Sequence, residues 1–477
     1  MTRRLECDLL VVGGGSGGLS VAAGAAQMGA RVILAEKGRM GGDCLNYGCV
    51  PSKALLAAAK AAHAGETASA FGVDYTAPKV DFGRVHDHVQ AVIAAIAPHD
   101  SVERLESLGV TVLRAAARFR DRRSMFVGET VVSARRIVLA TGSRPRIPPI
   151  PGLDGVPFLT NETVFDLKAR PGHLIVIGAG PIGLEMAQAF RRLGSRVTVL
   201  EKFRALPKDD PEIAAIALAA LRAEDIRIRE GVDITGITAG AGTIEVRLAA
   251  GEGGAEGATV TGSHLLVATG RAPALDGLAL AAAGIAHDAS GIRVDRRLRT
   301  TNRRVFAIGD CRQGLQFTHV AGYEAGIVLR NALFHLPAKA DYGTVPWVTY
   351  TDPEIAHVGL AEAAARARHG DRVRVMREPF TGNDRAQAER ATDGLLKLVA
   401  VDGRPVGVSV VGANAGELIQ LWALALSRRL KLADIASFIA PYPTLGEISK
   451  RAAGATFSDR LFSERTRAIV RFLQRFG

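Results

Sequence analysis

One pattern of strand, glycine-rich turn, helix, strand and acidic residue occurs twice in this chain with identical internal spacing. The first copy turns at Gly13 and ends at Glu36, and the second turns at Gly178 and ends at Glu201. In such a unit the glycines allow a tight turn beneath a pyrophosphate, and the acid accepts hydrogen bonds from a ribose. Unpaired N–H groups at the N-terminus of the helix then face the phosphates. Two copies with one spacing predict two dinucleotide sites.

Each copy is followed by a matching strand end, at 137–142 and 265–270, and a third such strand lies at 305–310. Two nucleotide domains explain this order if the second is inserted into the first, which resumes at the third strand. The last third of the chain has no fingerprint, and its alternating strands and one helix predict a separate α+β domain. We therefore predict an α/β fold with segments 1–148, 149–272, 273–340 and 341–477, of which the first and third form one domain.

Composition excludes several classes of protein. The chain has 477 residues, of which 48% are apolar and 23% are charged, so a large core can be buried. The apolar run 9–12 is too short for a signal peptide and predicts a first strand. The net charge of +12 comes from basic residues scattered among acids, so we do not expect nucleic-acid binding. Four cysteines do not form a secreted disulfide framework, and we expect a cytoplasmic protein.

Cys44 and Cys49 come shortly after the first copy. Five residues of regular helix rise about 7.5 Å, whereas a disulfide needs Cα atoms about 5.5–6 Å apart. A bond would require a distorted segment, for which Asn46, Gly48 and Pro51 are suited. A zinc site would need about four ligands, and no second Cys pair or nearby His supplies them. Two inert thiols are the simplest alternative, but a dithiol exchanges two electrons, as a flavin and a nicotinamide do, which favours a redox pair.

The sequence resembles the flavin-dependent pyridine-nucleotide disulfide oxidoreductases, which include lipoamide dehydrogenase, glutathione reductase and mercuric reductase. The similarity runs from Cys7 to about Lys450 and is most specific at 41–53, 178–185, 268–273, 307–310, 353–359 and 443–447. The resemblance implies two Rossmann-like domains, an FAD domain split by an inserted NAD domain, and a C-terminal α+β dimerisation domain. It also implies a homodimer whose active site is shared between the subunits.

The resemblance assigns two cofactor sites. For FAD, Glu36 would hold the adenosine half, Asp310 the ribityl chain, and a helix starting near Thr318 would aim its positive end at the flavin ring. The nicotinamide site favours NAD(H) over NADP(H), because a carboxylate at Glu201 repels a 2′-phosphate. Lys202 and Arg204 are near enough in sequence to reverse that preference. The implied FAD positions are Gly13, Gly15, Gly18, Glu36, Gly42, Lys53, Ala117, Thr141, Gly142, Ser143, Asp310, Thr318 and His319, and the nicotinamide positions are Gly178, Gly180, Gly183, Glu201 and Gly270.

The resemblance also implies a mechanism. A nicotinamide would reduce one face of the flavin, and the flavin would reduce a Cys44–Cys49 disulfide on its other face. Cys49 would lie nearer the flavin as a charge-transfer thiolate, and Cys44 would attack or ligate the substrate. Lys53 and Glu185 match a family ion pair that would tune the flavin potential, with a surface salt bridge as the alternative. The implied catalytic residues are Cys44, Cys49, Lys53, Glu185, Tyr442 and Glu447, and no resident metal is expected.

The sequence departs from the family pattern at a few positions. Tyr442 stands where disulfide reductases have a proton-shuttling His, although Glu447 is retained. As a base at neutral pH, Tyr442 would need its pKa lowered by about three units, or ~4 kcal/mol. Asp43 replaces a usual Thr near the flavin, and Pro181 replaces a tyrosine that gates the nicotinamide site in some members. Tyrosine at this position resembles mercuric reductase, but this chain has no Cys after Cys311 to pass a metal ion inward.

An Arg-rich tail carries apolar residues at roughly helical spacing between Phe457 and Phe476. We expect it to pack within the dimer, and the alternative is docking on an anionic membrane surface.

Three functions fit the whole sequence. The first is an NAD(P)H-dependent reductase of a small disulfide or oxidised sulfur compound. The others are a metal-ion or quinone reductase and an electron-carrier subunit of a larger complex, and the retained cysteines argue against the carrier.

Overall fold

The computed structural model describes residues 3–249 and 257–476, which form two compact units. Within the described residues, the first unit covers 3–179, 189–202 and 232–341, and the second covers 180–188, 203–231 and 342–476. Each unit has its own sheets and its own hydrophobic core.

The first part of the chain alternates buried strands with helices. Its elements are β1 (Arg4–Val12), α1 (Ser16–Gln27), β2 (Val32–Ala35), α2 (Gly42–Asn46), α3 (Cys49–Thr67), α4 (Phe82–Ile96), α5 (Val102–Ser107), β3 (Val110–Leu113), β4 (Ala117–Phe119), β5 (Ser124–Val127), β6 (Thr130–Leu139) and β7 (Ser143–Pro145). The strand order is β3-β2-β1-β6-β5-β4, and β3, β2, β1 and β6 run parallel. Residues 9–12 are buried on both sides of the sheet, as parallel strands require.

The next part repeats the strand–helix–strand pattern. Its elements are β8 (His173–Ile177), α6 (Pro181–Arg192), β9 (Arg196–Leu200), α7 (Pro211–Ala223), β10 (Arg227–Arg229), β11 (Ile234–Ala239), β12 (Ile244–Leu248), β13 (Thr259–Gly262), β14 (His264–Val267) and β15 (Arg271–Pro273). Strands β9, β8 and β14 are parallel neighbours, and β11, β12 and β13 form an antiparallel sheet. β15 pairs antiparallel with β7, so the chain enters and leaves this part on adjacent strands.

After that crossing the chain returns to the first sheet, as the sequence predicts. The returning elements are β16 (His287–Asp288), β17 (Gly291–Ile292), β18 (Val305–Ala307) and α8 (Thr318–Ala332). β18 pairs parallel with β6, with Val305 opposite Ile137. Cys7 and Cys311 lie in the core of this sheet, and burial raises the pKa of their thiols to about 12 and about 11. Such thiols are protonated and serve packing.

The second unit contains an antiparallel sheet covered by helices. Its elements from 342 onward are β19 (Trp347–Thr349), β20 (Glu354–Gly359), α9 (Glu362–His369), β21 (Val373–Pro379), α10 (Asp384–Ala388), β22 (Leu395–Val401), β23 (Arg404–Gly412), α11 (Ala415–Ser427), α12 (Leu432–Ser437), α13 (Glu447–Leu461) and α14 (Glu464–Leu473). The strand order is β19-β20-β23-β22-β21. Trp422 of α11 is buried in the core, and its indole N–H donates to Ser449 of α13 at 3.0 Å. This arrangement is the predicted α+β domain.

In the described ranges, none of the helices combines the length and the apolar character needed to cross a bilayer.

Candidate active site

The two cysteines of the predicted redox pair lie on either side of a break between two helices. Cys44 is within α2, and Cys49 is the first residue of α3. Gly48 between them has φ −128° and ψ −114°, so the helix does not continue through it. The side-chain amide of Asn46 donates to two backbone carbonyls of the preceding turn, at 2.9 and 2.8 Å, and fixes the turn. This is the distortion that the sequence requires for two cysteines at this spacing to meet.

Both cysteines are free thiols in the structure. The Thr318 hydroxyl lies 3.4 Å from the Cys49 sulfur. The hydrogen bond from Cys44, together with Thr318 and the positive charge of Lys53, lowers the pKa of Cys49 to about 6. The same contact and burial raise the pKa of Cys44. At neutral pH the pair therefore consists of a Cys49 thiolate and a neutral Cys44 thiol.

Thr318 owes its position to the way helix α8 is anchored. The helix begins at Thr318, where the resemblance to the family implies a helix start. Further along the helix, Glu324 is fully buried, accepts from the Gly309 N–H at 2.7 Å and pairs with the buried Arg312. This anchor joins α8 to the loop that carries Asp310. The helix start and the loop thus form one rigid support beside the dithiol.

The first glycine fingerprint fits a dinucleotide. Gly13 has φ +111°, and a Cβ there would overlap the carbonyl oxygen of Ala140. A Cβ on Gly42 would lie 2.7 Å from the Cα of Gly15, so the fingerprint and the start of the cysteine helix touch through bare backbone. The N-cap residue Gly15 has no side chain to cap the first-turn N–H groups of α1. This cradle of open N–H groups is what the pyrophosphate of FAD needs.

The acids at the ends of the two fingerprints make the same contact. The carboxylate of Glu36 accepts from the backbone N–H of Gly14, and that of Glu201 accepts from the N–H of Ala179 at 2.8 Å. Gly178 has φ +107°, close to the value at Gly13. Both acids are therefore held at the mouth of a glycine turn.

A charged network lies next to the cysteine turn. The Arg271 guanidinium contacts Asp43 at 3.0 Å, donates to the Ser143 hydroxyl at 2.7 Å and lies 3.9 Å from Asp310. The Ser143 hydroxyl donates to Asp310 at 2.7 Å. Burial raises the pKa of Asp310. The side-chain amide of Asn161 donates to Asp43 at 3.0 Å and completes the network.

Arg271 and Asn161 were not among the site residues predicted from the sequence. The signal for Arg271 was present, because it directly follows Gly270, a predicted nicotinamide position. Asn161 lies in a segment with no motif, and its distance in sequence from Asp43 hides the contact. Its role follows only from three-dimensional structure.

The remaining predicted FAD positions at the strand ends lie in the first sheet or next to it. Thr141 and Gly142 lie two and three residues after the end of β6, and Ala117 is buried in β4. Gly18 is the third residue of α1, where a Cβ would overlap the Gly13 carbonyl. Close packing of this helix on the first strand therefore depends on glycine at position 18.

Two further predicted FAD positions lie on the helices that carry the thiolate and its hydroxyl partner. His319 is the second residue of α8, and its ring stacks on Phe317 with centroids 5.3 Å apart. Lys53 lies one turn after Cys49 in α3, and its charge is one of the causes of the low pKa of that thiol.

The predicted site residues of the second unit have partners of their own. Tyr442 is 70% exposed, and its hydroxyl donates to Asp384 at 2.8 Å. That hydrogen bond and the charge of Asp384 raise the pKa of Tyr442, which is the direction opposite to a base at neutral pH. Glu447 begins α13 close to Tyr442. Glu185 in α6 is only 4% exposed and accepts from the Tyr350 N–H at 2.9 Å, while Gly180 and Gly183 lie just before and within the same helix.

Comparison with known protein families agrees with this geometry. The pyridine nucleotide-disulphide oxidoreductase family matches residues 7–325, and the dimerisation domain of that family matches residues 345–453. The chain belongs to this family. It is an FAD-dependent oxidoreductase that uses NAD(P)H, and its dimerisation domain supports a homodimer. The predicted fold class and enzyme class are thereby confirmed.

Relatives within this family carry the names of different activities. The chain is 38% identical over 461 residues to mercuric reductase of Acidithiobacillus ferrooxidans, covering 94% of this chain and 82% of that one. It is 37% identical over 459 residues to dihydrolipoyl dehydrogenase of Thermus scotoductus, covering 94% and 97%. A Cu(II) complex of the HOCl-induced flavoprotein disulfide reductase RclA from Escherichia coli superposes with a TM-score of 0.83 at 28% identity, covering 93% and 99%.

Proposed function

We propose that this enzyme reduces a small disulfide or related oxidised sulfur compound with electrons from NADH, through Cys44 and Cys49. The observation that carries the proposal is the pair of free cysteines on either side of the helix break at Gly48, with the Thr318 hydroxyl 3.4 Å from the Cys49 sulfur. Cys49 is held as a thiolate by the Cys44 thiol, Thr318 and Lys53, while Cys44 keeps its proton. FAD, when bound, accepts an electron pair from the nicotinamide and passes it to the cysteines.

Reduction of a disulfide by Cys44 and Cys49 takes two steps. Cys44 attacks one sulfur of the acceptor and its proton passes to the leaving sulfur, which forms a mixed disulfide and releases the first thiol. The Cys49 thiolate then attacks the Cys44 sulfur, which forms the Cys44–Cys49 disulfide and releases the second sulfur as a thiolate that takes a proton from water. One disulfide is reduced to two thiols, and the enzyme dithiol is oxidised. Tyr442 does not supply a base for these steps, since its hydrogen bond to Asp384 raises its pKa.

The preference for NADH rests on Glu201 and on the partners of the two cations that come next in the chain. Lys202 pairs with Asp233 at 2.6 Å. The guanidinium of Arg204 donates to the carbonyls of Pro207 and Asp209 at 3.3 and 3.5 Å. Both cations that would accept a 2′-phosphate thus have other partners, and the carboxylate of Glu201 sets the preference.

Reduction of a soft metal ion is the second candidate, and Tyr442 is the observation that favours it. A metal ion takes up an electron pair without a leaving thiol, so it does not need the proton shuttle that Tyr442 cannot supply. Cys44 and Cys49 would supply two sulfur ligands to one ion, and Cys44 would lose its proton when the ion binds. In the described part of the chain, no group of three or more His, Cys, Asp or Glu side chains is placed to hold a metal ion. Such an ion would be a substrate.

The test is oxidation of NADH and NADPH by the purified yellow protein with lipoamide, glutathione disulfide, mercuric ion, cupric ion and a quinone as acceptors. We expect C44S to abolish reduction of the preferred acceptor, while the matched control C7A keeps the rate. Full activity in C44S would remove the dithiol from the reaction. Failure of both nicotinamides to bleach the flavin would instead support a carrier subunit.

Y442H separates the two candidates. Histidine has a pKa near 6.5 and restores a base at this position. We expect Y442H to raise disulfide reduction and leave metal-ion reduction unchanged. Wild-type turnover of lipoamide that Y442H does not improve would show that proton transfer there is not limiting, and would contradict the role given to Tyr442.

A further inference from the structure

The segment after residue 453 contains a helix that the family domains do not include. Helix α14 begins at Glu464, beyond the residue where the match to the dimerisation domain ends. The hydroxyl of Ser463 caps it by accepting from the Thr466 N–H at 3.2 Å. None of the residues described in this helix is buried. A helix of ten residues is marginal in water by itself, so a stable α14 needs a surface to lie on.

Helix α14 has two chemically distinct faces. At about 100° per residue, Ile469, Phe472 and Leu473 point to one side. On the opposite side are Arg467 and Arg471, while Arg465 in the first turn lies on the apolar side. The rings of Phe472 and the following Phe476 meet edge to face at 5.1 Å, and both are exposed. The apolar face therefore continues past the helix end as an exposed aromatic pair.

The charge of this segment is strongly positive. Residues 464–476 contain four arginines and one acid, Glu464. That carboxylate already contacts Arg467 at 3.0 Å and Arg471 at 3.8 Å. The segment holds no second acid for the other two arginines. A surface that covers this helix must therefore offer both apolar volume and negative charge.

We propose that α14 lies on an anionic lipid surface, with its apolar face at the acyl boundary and its arginines at the headgroup phosphates. Arginine binds phosphate through two parallel N–H donors, and basic side chains near a membrane attract anionic lipid. Helices of this composition, with Phe and Leu opposite Arg, bind in the plane of the interface. A second copy of α14 would bring another four arginines and one acid, so its charge does not complement this helix.

The test is sedimentation of the full-length holoenzyme with vesicles of phosphatidylcholine alone or mixed with phosphatidylglycerol. We expect binding only to the anionic vesicles and a loss of binding at high salt. R467Q/R471Q should weaken binding roughly 25-fold, about fivefold for each arginine. F472S/L473S should weaken it at least about tenfold.

Controls distinguish this proposal from a structural role of the tail. F334S removes a phenylalanine that is 55% exposed, against 56% at Phe472, and should bind vesicles like wild type. All variants should oxidise NADH with a soluble acceptor at the wild-type rate. Equal binding to neutral and anionic vesicles would overturn the proposal. A change from dimer to monomer in F472S/L473S, with no vesicle binding by wild type, would assign the apolar face to a second copy instead.

Discussion

The two glycine fingerprints of this molecule share one backbone design but differ in the segment attached after the acid. After Glu36 the chain turns at once into the cysteine helix, and Gly42 touches Gly15 of the fingerprint itself. After Glu201 the chain carries two cations, Lys202 and Arg204, which have local partners. Under the proposed function, the first fingerprint is joined to the redox cysteines, and the second would bind and release the nicotinamide nucleotide.

From this difference we infer that the glycine turn supplies binding alone. Both turns place an acid on a backbone N–H, at Gly14 and at Ala179, so both can hold a ribose and a pyrophosphate. Reactivity comes from the segment attached to the turn, where Cys49 becomes a thiolate through its neighbours. Variants at matched positions of the two turns should therefore separate loss of a cofactor from loss of chemistry.

The largest effect should come from G13A compared with G178A. The two glycines have φ +111° and +107°, and a Cβ at either overlaps a carbonyl of the next strand end. The backbone strain alone is worth about 1–3 kcal/mol. We expect G13A to be purified without flavin and colourless, and G178A to stay yellow with a strongly raised KM for NADH. A yellow G13A protein would disprove the assignment of this turn to FAD, and absorbance spectra decide it.

The next effect tests the chemistry attached to the first turn. C44A removes the hydrogen bond that contributes most to the low pKa of Cys49, so that pKa should rise from about 6 toward the ordinary range of a cysteine. The pH dependence of Cys49 alkylation in the reduced enzyme, followed by mass spectrometry, measures it. C7A is the matched control, because Cys7 is a buried thiol that donates to the Ser133 carbonyl and not to this pair. If the midpoint of the pH dependence of Cys49 alkylation is unchanged in C44A, Lys53 and Thr318 alone stabilise the Cys49 thiolate.

Features that repeat, or that have a strong local signal, could be predicted from the sequence. The strands around both turns and the return of β18 to the first sheet follow from apolar runs and glycine spacing, and the helix start at Thr318 follows from the resemblance to the family. The domain boundaries and the roles of the site residues remain predictions. Contacts distant in sequence, such as those of Asn161 and Arg271 with Asp43, were not predicted, because neither residue has a pattern that reveals its partner. The hydrogen bond from Tyr442 to Asp384 was missed for the same reason.

A smaller effect is expected at Asp43, which contacts Arg271 and lies in the cysteine turn. Asp43 raises the pKa of Cys49, since its negative charge opposes a second one. D43N removes that charge and leaves the positive charge of Arg271 less compensated, so the pKa of Cys49 should fall further. The same alkylation titration measures the midpoint. D276N, at an exposed aspartate paired with Arg144, should leave the midpoint unchanged. A rise in D43N would mean that Asp43 holds the cysteine turn in place rather than acting by charge.

The smallest effect concerns the second turn and the choice of nucleotide. D233N removes the charge that holds Lys202, so the ammonium group can turn toward a 2′-phosphate at Glu201. Because both side chains of the pair are largely exposed, their interaction is weak, and kcat/KM for NADPH should rise only about two- to fivefold while that for NADH is unchanged. The double variant D233N/K202Q should return the ratio of kcat/KM for NADPH to that for NADH to its wild-type value, since the released cation is then absent. If D233N alone leaves the ratio unchanged, Lys202 does not reach the nucleotide, and Glu201 by itself sets the preference of this turn.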